Sequence, residues 1–195
     1  IVASQTDLTS RFSTGRVTHA LVTGLELARE TSENWNRIET GGPQPTTDLF
    51  NPDFSTPYAS RLVRHGAVTD ASASSAAAFA FDTVQLGPRL EVTGGLRWDR
   101  FDLDYRTVDA AAVETTLDRT DDMVSWRGGV VYKPRPNGSI YMGAGTSLNP
   151  STEGLSLSAS TVALDPEKSR SVEAGTKWDV LGGRIGLNAA VFNTT

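Results

Sequence analysis

The chain has 195 residues, 38% of them hydrophobic and 21% charged, with a net charge of −5. That balance, with no basic stripe interleaved with aromatics, excludes a general nucleic-acid binder. The absence of cysteine excludes a disulfide framework and a thiolate metal site. No run approaches the roughly 18 apolar residues of a spanning helix, but a spanning β-strand needs only about 9–11 residues, and every second one can be polar.

The chain opens on Ile1-Val2-Ala3-Ser4, without the basic segment and apolar core of a signal peptide, and passes straight into strand-like alternation. The expectation is a chain that begins in mid-protein. Strands are predicted near 4–12, 17–32, 73–86, 90–104, 123–133, 139–147, 169–180 and 184–194. Short connections fall at Ser13-Thr14-Gly15, Gly87-Pro88-Arg89, Pro134-Arg135-Pro136-Asn137-Gly138 and Leu181-Gly182-Gly183. Long ones occupy 33–72, 105–122 and 148–168. Short and long alternate strictly, as they do when one rim of a barrel carries tight periplasmic turns and the other large extracellular loops. A soluble sandwich spaces its turns more evenly.

In the second strand Val17, Leu21, Leu25 and Leu27 share a parity with His19 and Thr23, and His19 is read as interfacial because it lies near a short turn. The fourth strand separates Leu90, Val92, Gly94, Leu96 and Trp98 from Glu91, Thr93, Gly95, Arg97 and Asp99. A basic residue on a lipid-facing wall costs roughly 2–4 kcal/mol near the midplane, so Arg97 and Asp99 are predicted to face the lumen. Arg127 in the fifth strand is assigned to the lumen with them. The sixth strand has no decisive parity. The seventh sends Val172, Ala174, Thr176, Trp178 and Val180 outward and Glu173, Gly175, Lys177 and Asp179 inward. Trp98 and Trp126 flank one long connection, while Tyr132 and Trp178 adjoin short turns, which places four amphipathic rings in two girdles at headgroup level.

No catalytic constellation stands out. His19 and His65 share no metal-ligand spacing, and Asp121-Asp122 and the Asp99/Asp102/Asp104 group read as alternation or as a solvated loop. Neither a phosphate-cradling glycine loop nor a nucleophile elbow is present. The expectation is a protein without catalytic residues, resident metal or cofactor. The first long connection is the predicted binding region. Trp35, Arg37, Phe50, Tyr58, Arg61 and Arg64 mix rings with guanidinium groups, which suits a planar anionic ligand through stacking and charge-assisted hydrogen bonds. Packing of these residues against their own loop is the competing account.

Several stretches then carry a resemblance. They include Val22-Thr23-Gly24-Leu25-Glu26, Phe50-Asn51-Pro52, Phe81-Asp82-Thr83-Val84-Gln85-Leu86-Gly87 and Gly94-Gly95-Leu96-Arg97-Trp98-Asp99. Ser125-Trp126-Arg127-Gly128-Gly129-Val130-Val131-Tyr132-Lys133-Pro134, Thr146-Ser147-Leu148-Asn149-Pro150-Ser151 and Glu173-Ala174-Gly175-Thr176-Lys177-Trp178-Asp179 follow in order. Together they resemble the barrel domain of TonB-dependent siderophore receptors, most closely the catecholate type. The resemblance implies a 22-stranded outer-membrane barrel closed by an N-terminal plug and energised by the TonB complex, with a ferric siderophore as cargo. Against that pattern the whole chain reads as a partial barrel domain, all-β and antiparallel, supplying about eight strands and lacking the plug. The competing readings are a complete eight-stranded barrel with a structural or adhesive role and a soluble β-sandwich binding module.

Overall fold

Strands dominate because β-branched, aromatic and small residues alternate with polar ones over long stretches and are punctuated by glycine-bearing turns. The computed structural model describes the chain except residues 43–45, 56, 58, 59, 152–154 and 159–161. Among the described residues there is no helix. The strands are β1 (Val2–Thr14), β2 (Val17–Thr40), β3 (Arg61–Leu86), β4 (Leu90–Val108), β5 (Glu114–Arg135), β6 (Gly138–Asn149), β7 (Glu167–Val180) and β8 (Ile185–Thr194). They form one antiparallel sheet in chain order. At Gly15 the first hairpin reverses in two residues with φ of 65°, a conformation glycine adopts without a Cβ penalty.

β1 and β8 make no contact with each other. Among the described residues the sheet therefore does not close on itself, which argues against the eight-stranded barrel, and no second sheet packs on it to make a sandwich. Below the strand extensions one face of the sheet is apolar and bare apart from the paired His19 and Asp82: Leu25, Leu96 and Val124 are 62%, 60% and 59% exposed. The other carries Glu26, Arg97, Asp99, Arg127, Glu173, Lys177 and Asp179, brought to one side by the ladder registers. A one-residue slip would exchange these faces, so the two chemistries pin the register. The sixth strand is resolved by its partners: Ile140 and Met142 lie on the apolar face, and Tyr141 on the polar one.

All eight predicted strands exist, but four are longer than expected. β2 runs on to Thr40, β3 starts at Arg61, β4 reaches Val108 and β5 begins at Glu114. The first long connection thus shrinks to 41–60, and the second to 109–113. Trp98 and Trp126 accordingly lie inside their strands and not at strand ends, although both remain on the apolar face, as do Tyr132 and Trp178. The physical reason is a change of solvent. Beyond Trp98 the outward row becomes Arg100, Asp102, Asp104 and Arg106, and opposite it stand Asp122, Thr120, Asp118 and Thr116. There the alternation inverts: the outward row is polar and wet while Phe101, Leu103 and Tyr105 on the other face are apolar. The apolar outward face that marks the lower strands is lost, and the ladder is held by backbone pairing, ion pairs and this inner apolar row.

Those ion pairs form a lattice. Arg100 joins Asp102 at 3.0 Å and Asp122 at 3.2 Å, and Arg106 joins Glu114 at 2.8 Å and Asp70 at 3.1 Å. Each such exposed pair contributes little by itself, because water and salt screen it. His19, the parity exception in β2, is explained by a partner 63 residues away: its Nδ1 lies 2.6 Å from Asp82 Oδ2, and its ring stacks on Phe12 with centroids 4.7 Å apart.

Candidate functional site on the inner wall

The polar face is built in two levels. At the level of the long strand extensions it is apolar, with Ala71 and Ala73 of β3, Phe101, Leu103 and Tyr105 of β4 and Leu117 of β5 sharing one parity. The connection after β6 folds back over this patch. Leu157 is 4% exposed, and Leu155 and Val162 pack beside it. Burying a side chain such as Leu157 contributes roughly 1.5–3 kcal/mol.

A buried ion pair fastens the connection. Asp121 is 2% exposed. Its Oδ1 accepts from Arg119 at 2.7 Å, and its Oδ2 accepts from the Ser151 hydroxyl at 2.9 Å and the Ser151 backbone N–H at 3.1 Å. Arg119 also donates to the Val162 carbonyl at 2.7 Å. One pair on β5 therefore holds both the start and the end of the same connection. Asp121 is not the solvated loop residue expected from the sequence. Strand alternation had already separated Arg119 and Asp121 from Thr120 and Asp122, and that was the available signal.

Below the apolar patch the wall is charged. Arg97 bridges Asp99 at 2.7 Å and Glu26, two strands away on β2, at 3.1 Å. A recess of about 350 Å³ opens between this cluster and Pro150, lined by Arg97, Asp99, Phe101, Met123, Ser125 and Ser147. Further down, Arg127 lies 3.9 Å from the Phe81 ring centroid, and the Tyr141 hydroxyl donates to Glu173 at 2.5 Å. No group of three or more His, Cys, Asp or Glu suited to a metal occurs among the described residues. The wall offers charge, hydrogen bonds and flat rings, which is the equipment of a binding surface.

The residues expected to bind ligand from the first long connection are placed differently. Trp35 and Arg37 lie on β2, and Arg61 and Arg64 on β3, so the four sit on strand extensions and not in a loop. The Arg64 guanidinium stands 4.5 Å from the Trp35 centroid, and Trp35 Nε1 donates to Glu33. Opposite Asn36 the ladder slips, with His65, Gly66 and Ala67 bulging out and Gly66 at φ of 92°. Alternation along the strands keeps Trp35, Arg37 and Arg64 on the outward parity and brings Arg61 to the inward one. Phe50 is 94% exposed in the remaining connection, and Tyr58 lies outside the described residues.

Known proteins share this wall. The family described as TonB dependent receptor-like, beta-barrel matches residues 2–195. A protein of Escherichia coli strain CFT073 named catecholate siderophore receptor Fiu is 32% identical over 223 residues, covering 100% of this chain and 29% of its own length. A protein of Acinetobacter baumannii named probable TonB-dependent siderophore receptor PiuA is 28% identical, covering 97% of this chain and 29% of its own length. Among solved structures, the closed form of the ferric-catecholate import receptor Fiu from Escherichia coli K12 matches with a TM-score of 0.85 at 29% identity, over 98% of this chain and 30% of that one. The ferric citrate transporter FecA shares the fold, with a TM-score of 0.73 at 17% identity. The chain thus spans under a third of the length of these relatives, and it belongs to the TonB-dependent receptor-like β-barrel family.

Proposed function

We propose that the chain forms part of the wall of an outer-membrane receptor that imports a ferric siderophore, with a catecholate complex as the favoured cargo. The observation that carries this reading is the end-to-end match to a catecholate siderophore receptor, in sequence and in the arrangement of all eight strands. The two faces support it. The outward side from Leu90 to Trp98 is an apolar band of nine residues, the length a tilted strand needs to cross hydrocarbon. Trp98 and Trp126 lie at its upper edge, Tyr132 and Trp178 at its lower edge, and both pairs suit headgroup level. The ion-pair lattice above Trp98 then faces extracellular water.

In this reading the plug, the TonB-contacting segment and the remaining strands lie outside the 195 residues. The protein acts by binding and conformational work without covalent chemistry, and iron is cargo. Arg61, on the inward parity at the mouth, is a contact for the anionic complex, with Arg37, Arg64 and Trp35 around the same apex; Tyr58, outside the described residues, stays a contact proposed from the sequence alone. The complete receptor, expressed in cells deprived of their own catecholate receptors, is expected to take up radiolabelled ferric catecholate only when TonB is present. Uptake that persists without TonB, or none in either strain, would reject the reading.

A further inference from the structure

A three-layer unit of glycine, ring and cation recurs three times on the inner wall. The Phe79 ring covers Gly24, its direct ladder partner, so closely that a β-carbon on that glycine would meet Cζ at 2.3 Å. The Phe81 ring covers Gly95, where the same atom would meet Cδ1 at 2.0 Å, and Tyr141 covers Gly175, at 2.6 Å from Cζ. A ring can lie down on the wall only where its neighbour has no side chain. Each reclining ring carries a cation: Arg97 at 5.7 Å from the Phe79 centroid, Arg127 at 3.9 Å from Phe81 and Lys177 at 5.5 Å from Tyr141.

The three cations differ in how far they are neutralised. Arg97 is also paired with Glu26 and Asp99. Among the described residues, no carboxylate lies within ion-pair distance of Arg127 or Lys177. The nearby Glu173 accepts from the Tyr141 hydroxyl, the same residue whose ring supports Lys177. A cation backed by a ring keeps its charge uncompensated and its forward donors open to a third party, whereas carboxylates beside a cation compensate its charge and occupy its donors. The ladder also orders them in height. Arg127 is opposite Gly95, two residues nearer the short-turn rim than Arg97, and Lys177 is opposite Ser139 beside that rim. From Arg97 to Lys177 the descent is on the order of 20 Å at about 3.3 Å per residue.

We propose that Arg127 and Lys177 are two successive holding points for an anionic metal complex moving down the inner wall. The ligand class is a ferric complex whose iron is bound by deprotonated phenolate oxygens. Arg127 meets it first, with a planar guanidinium that both stacks and donates, and Lys177 receives it near the periplasmic rim. This inference rests on the receptor reading above and adds a path below the mouth to it.

The test uses the complete receptor carrying Arg127→Gln, Lys177→Gln and both together, with radiolabelled ferric catecholate as the probe. Uptake is read per molecule bound at the cell surface, so that a change at the mouth divides out. The double variant is expected to fall about five- to tenfold in that ratio, the size of losing charge-assisted contacts, while Arg127→Lys stays within about twofold of wild type. A wild-type ratio in the double variant overturns the proposal, and so does an equal loss in Arg127→Lys and Arg127→Gln. If the glutamine variants fail to assemble, Arg127→Cys labelled in the membrane decides, in a complete receptor cleared of any other cysteine; these 195 residues contribute none. A cationic thiol reagent should then restore uptake and an anionic one should not; equal effects overturn the proposal. A wild-type receptor that takes up no ferric complex rejects the receptor reading itself, a different failure from wild-type uptake that the variants leave unchanged.

Discussion

Arg119 and Asp121 meet at 2.6 Å on the inner face of β5, with the Asp121 side chain 1% exposed and that of Arg119 17% exposed. Two residues of one strand, separated by a single outward-facing threonine, form a fixed bracket. The carboxylate takes the backbone and hydroxyl of Ser151, the guanidinium takes the carbonyl of Val162, and Leu157 lies between on an apolar bed. The connection after β6 is therefore part of the wall.

Asp121→Ala should release that connection. It leaves the Arg119 charge buried without its partner, a change that costs about 3–5 kcal/mol when an ion pair is broken on one side. Protease accessibility of residues 150–166 in the assembled receptor is the measurement, and we expect cleavage there in the variant at protease levels that spare wild type. Leu157→Ala should expose the same segment with a smaller effect, at a cost of about 2–5 kcal/mol that depends on how far the site collapses.

Gly95→Ala is expected to destabilise the sheet more than Gly94→Ala, although the two are neighbours. A β-carbon at Gly95 would sit 2.0 Å from Phe81 Cδ1 and 2.5 Å from the Ala80 carbonyl, whereas at Gly94 it meets nothing within 4 Å. Overpacking of this kind costs about 1–3 kcal/mol. Thermal unfolding of the two variants, followed by the loss of heat-modifiable mobility, should show Gly95→Ala unfolding at the lower temperature.

Charge tolerance should change across Trp98. Leu96→Arg places a guanidinium inside the apolar band, one outward position short of Trp98, at a cost below the roughly 2–4 kcal/mol of the midplane, and should lower the amount of assembled receptor. Asp118→Arg, on the same face beyond the band, replaces one of two carboxylates that stand directly opposite each other at Asp104 and Asp118. Removing that repulsion should leave assembly intact or raise stability by about 0.2–1 kcal/mol. Equal assembly of the two variants would contradict the position of the band.

The outward lattice should respond to acid and salt together. The Thr120 hydroxyl and then Arg100 hold the Asp102 carboxyl below its ordinary range, and Arg106 does the same for Glu114 by hydrogen bonding and charge. A carboxyl whose folded pKa is depressed contributes stability that is fully present above its unfolded pKa and is lost as pH falls through the folded value. Stability of the strand extensions should thus hold through the mildly acidic range and decline only below the usual carboxylate range. The contribution should shrink in high salt, because these groups are exposed and screened. Hydrogen exchange of β4 and β5 residues beyond Trp98, measured against pH at two ionic strengths, checks both halves.

Much of this was written in the local sequence. The order of eight strands, the tight turns and the shared face of Arg97, Asp99, Glu173, Lys177 and Asp179 follow from a period of two and from the cost of charge on a bare apolar face. The strand ends beyond Trp98 do not follow from it, because there the outward row turns polar and the apolar row moves to the other face, where only the connection folded back after β6 explains it. The burial of Asp121 depends on a connection about 30 residues away folding back over β5, and the pairing of His19 with Asp82 spans 63 positions. The sequence by itself determined which residues share a face along most strands, since alternation is a local property, whereas the sixth took its face from its partners. Only the tertiary structure decided which glycines lie under rings and which cations lie over them, because those layers come from residues of two or three different strands set side by side by register.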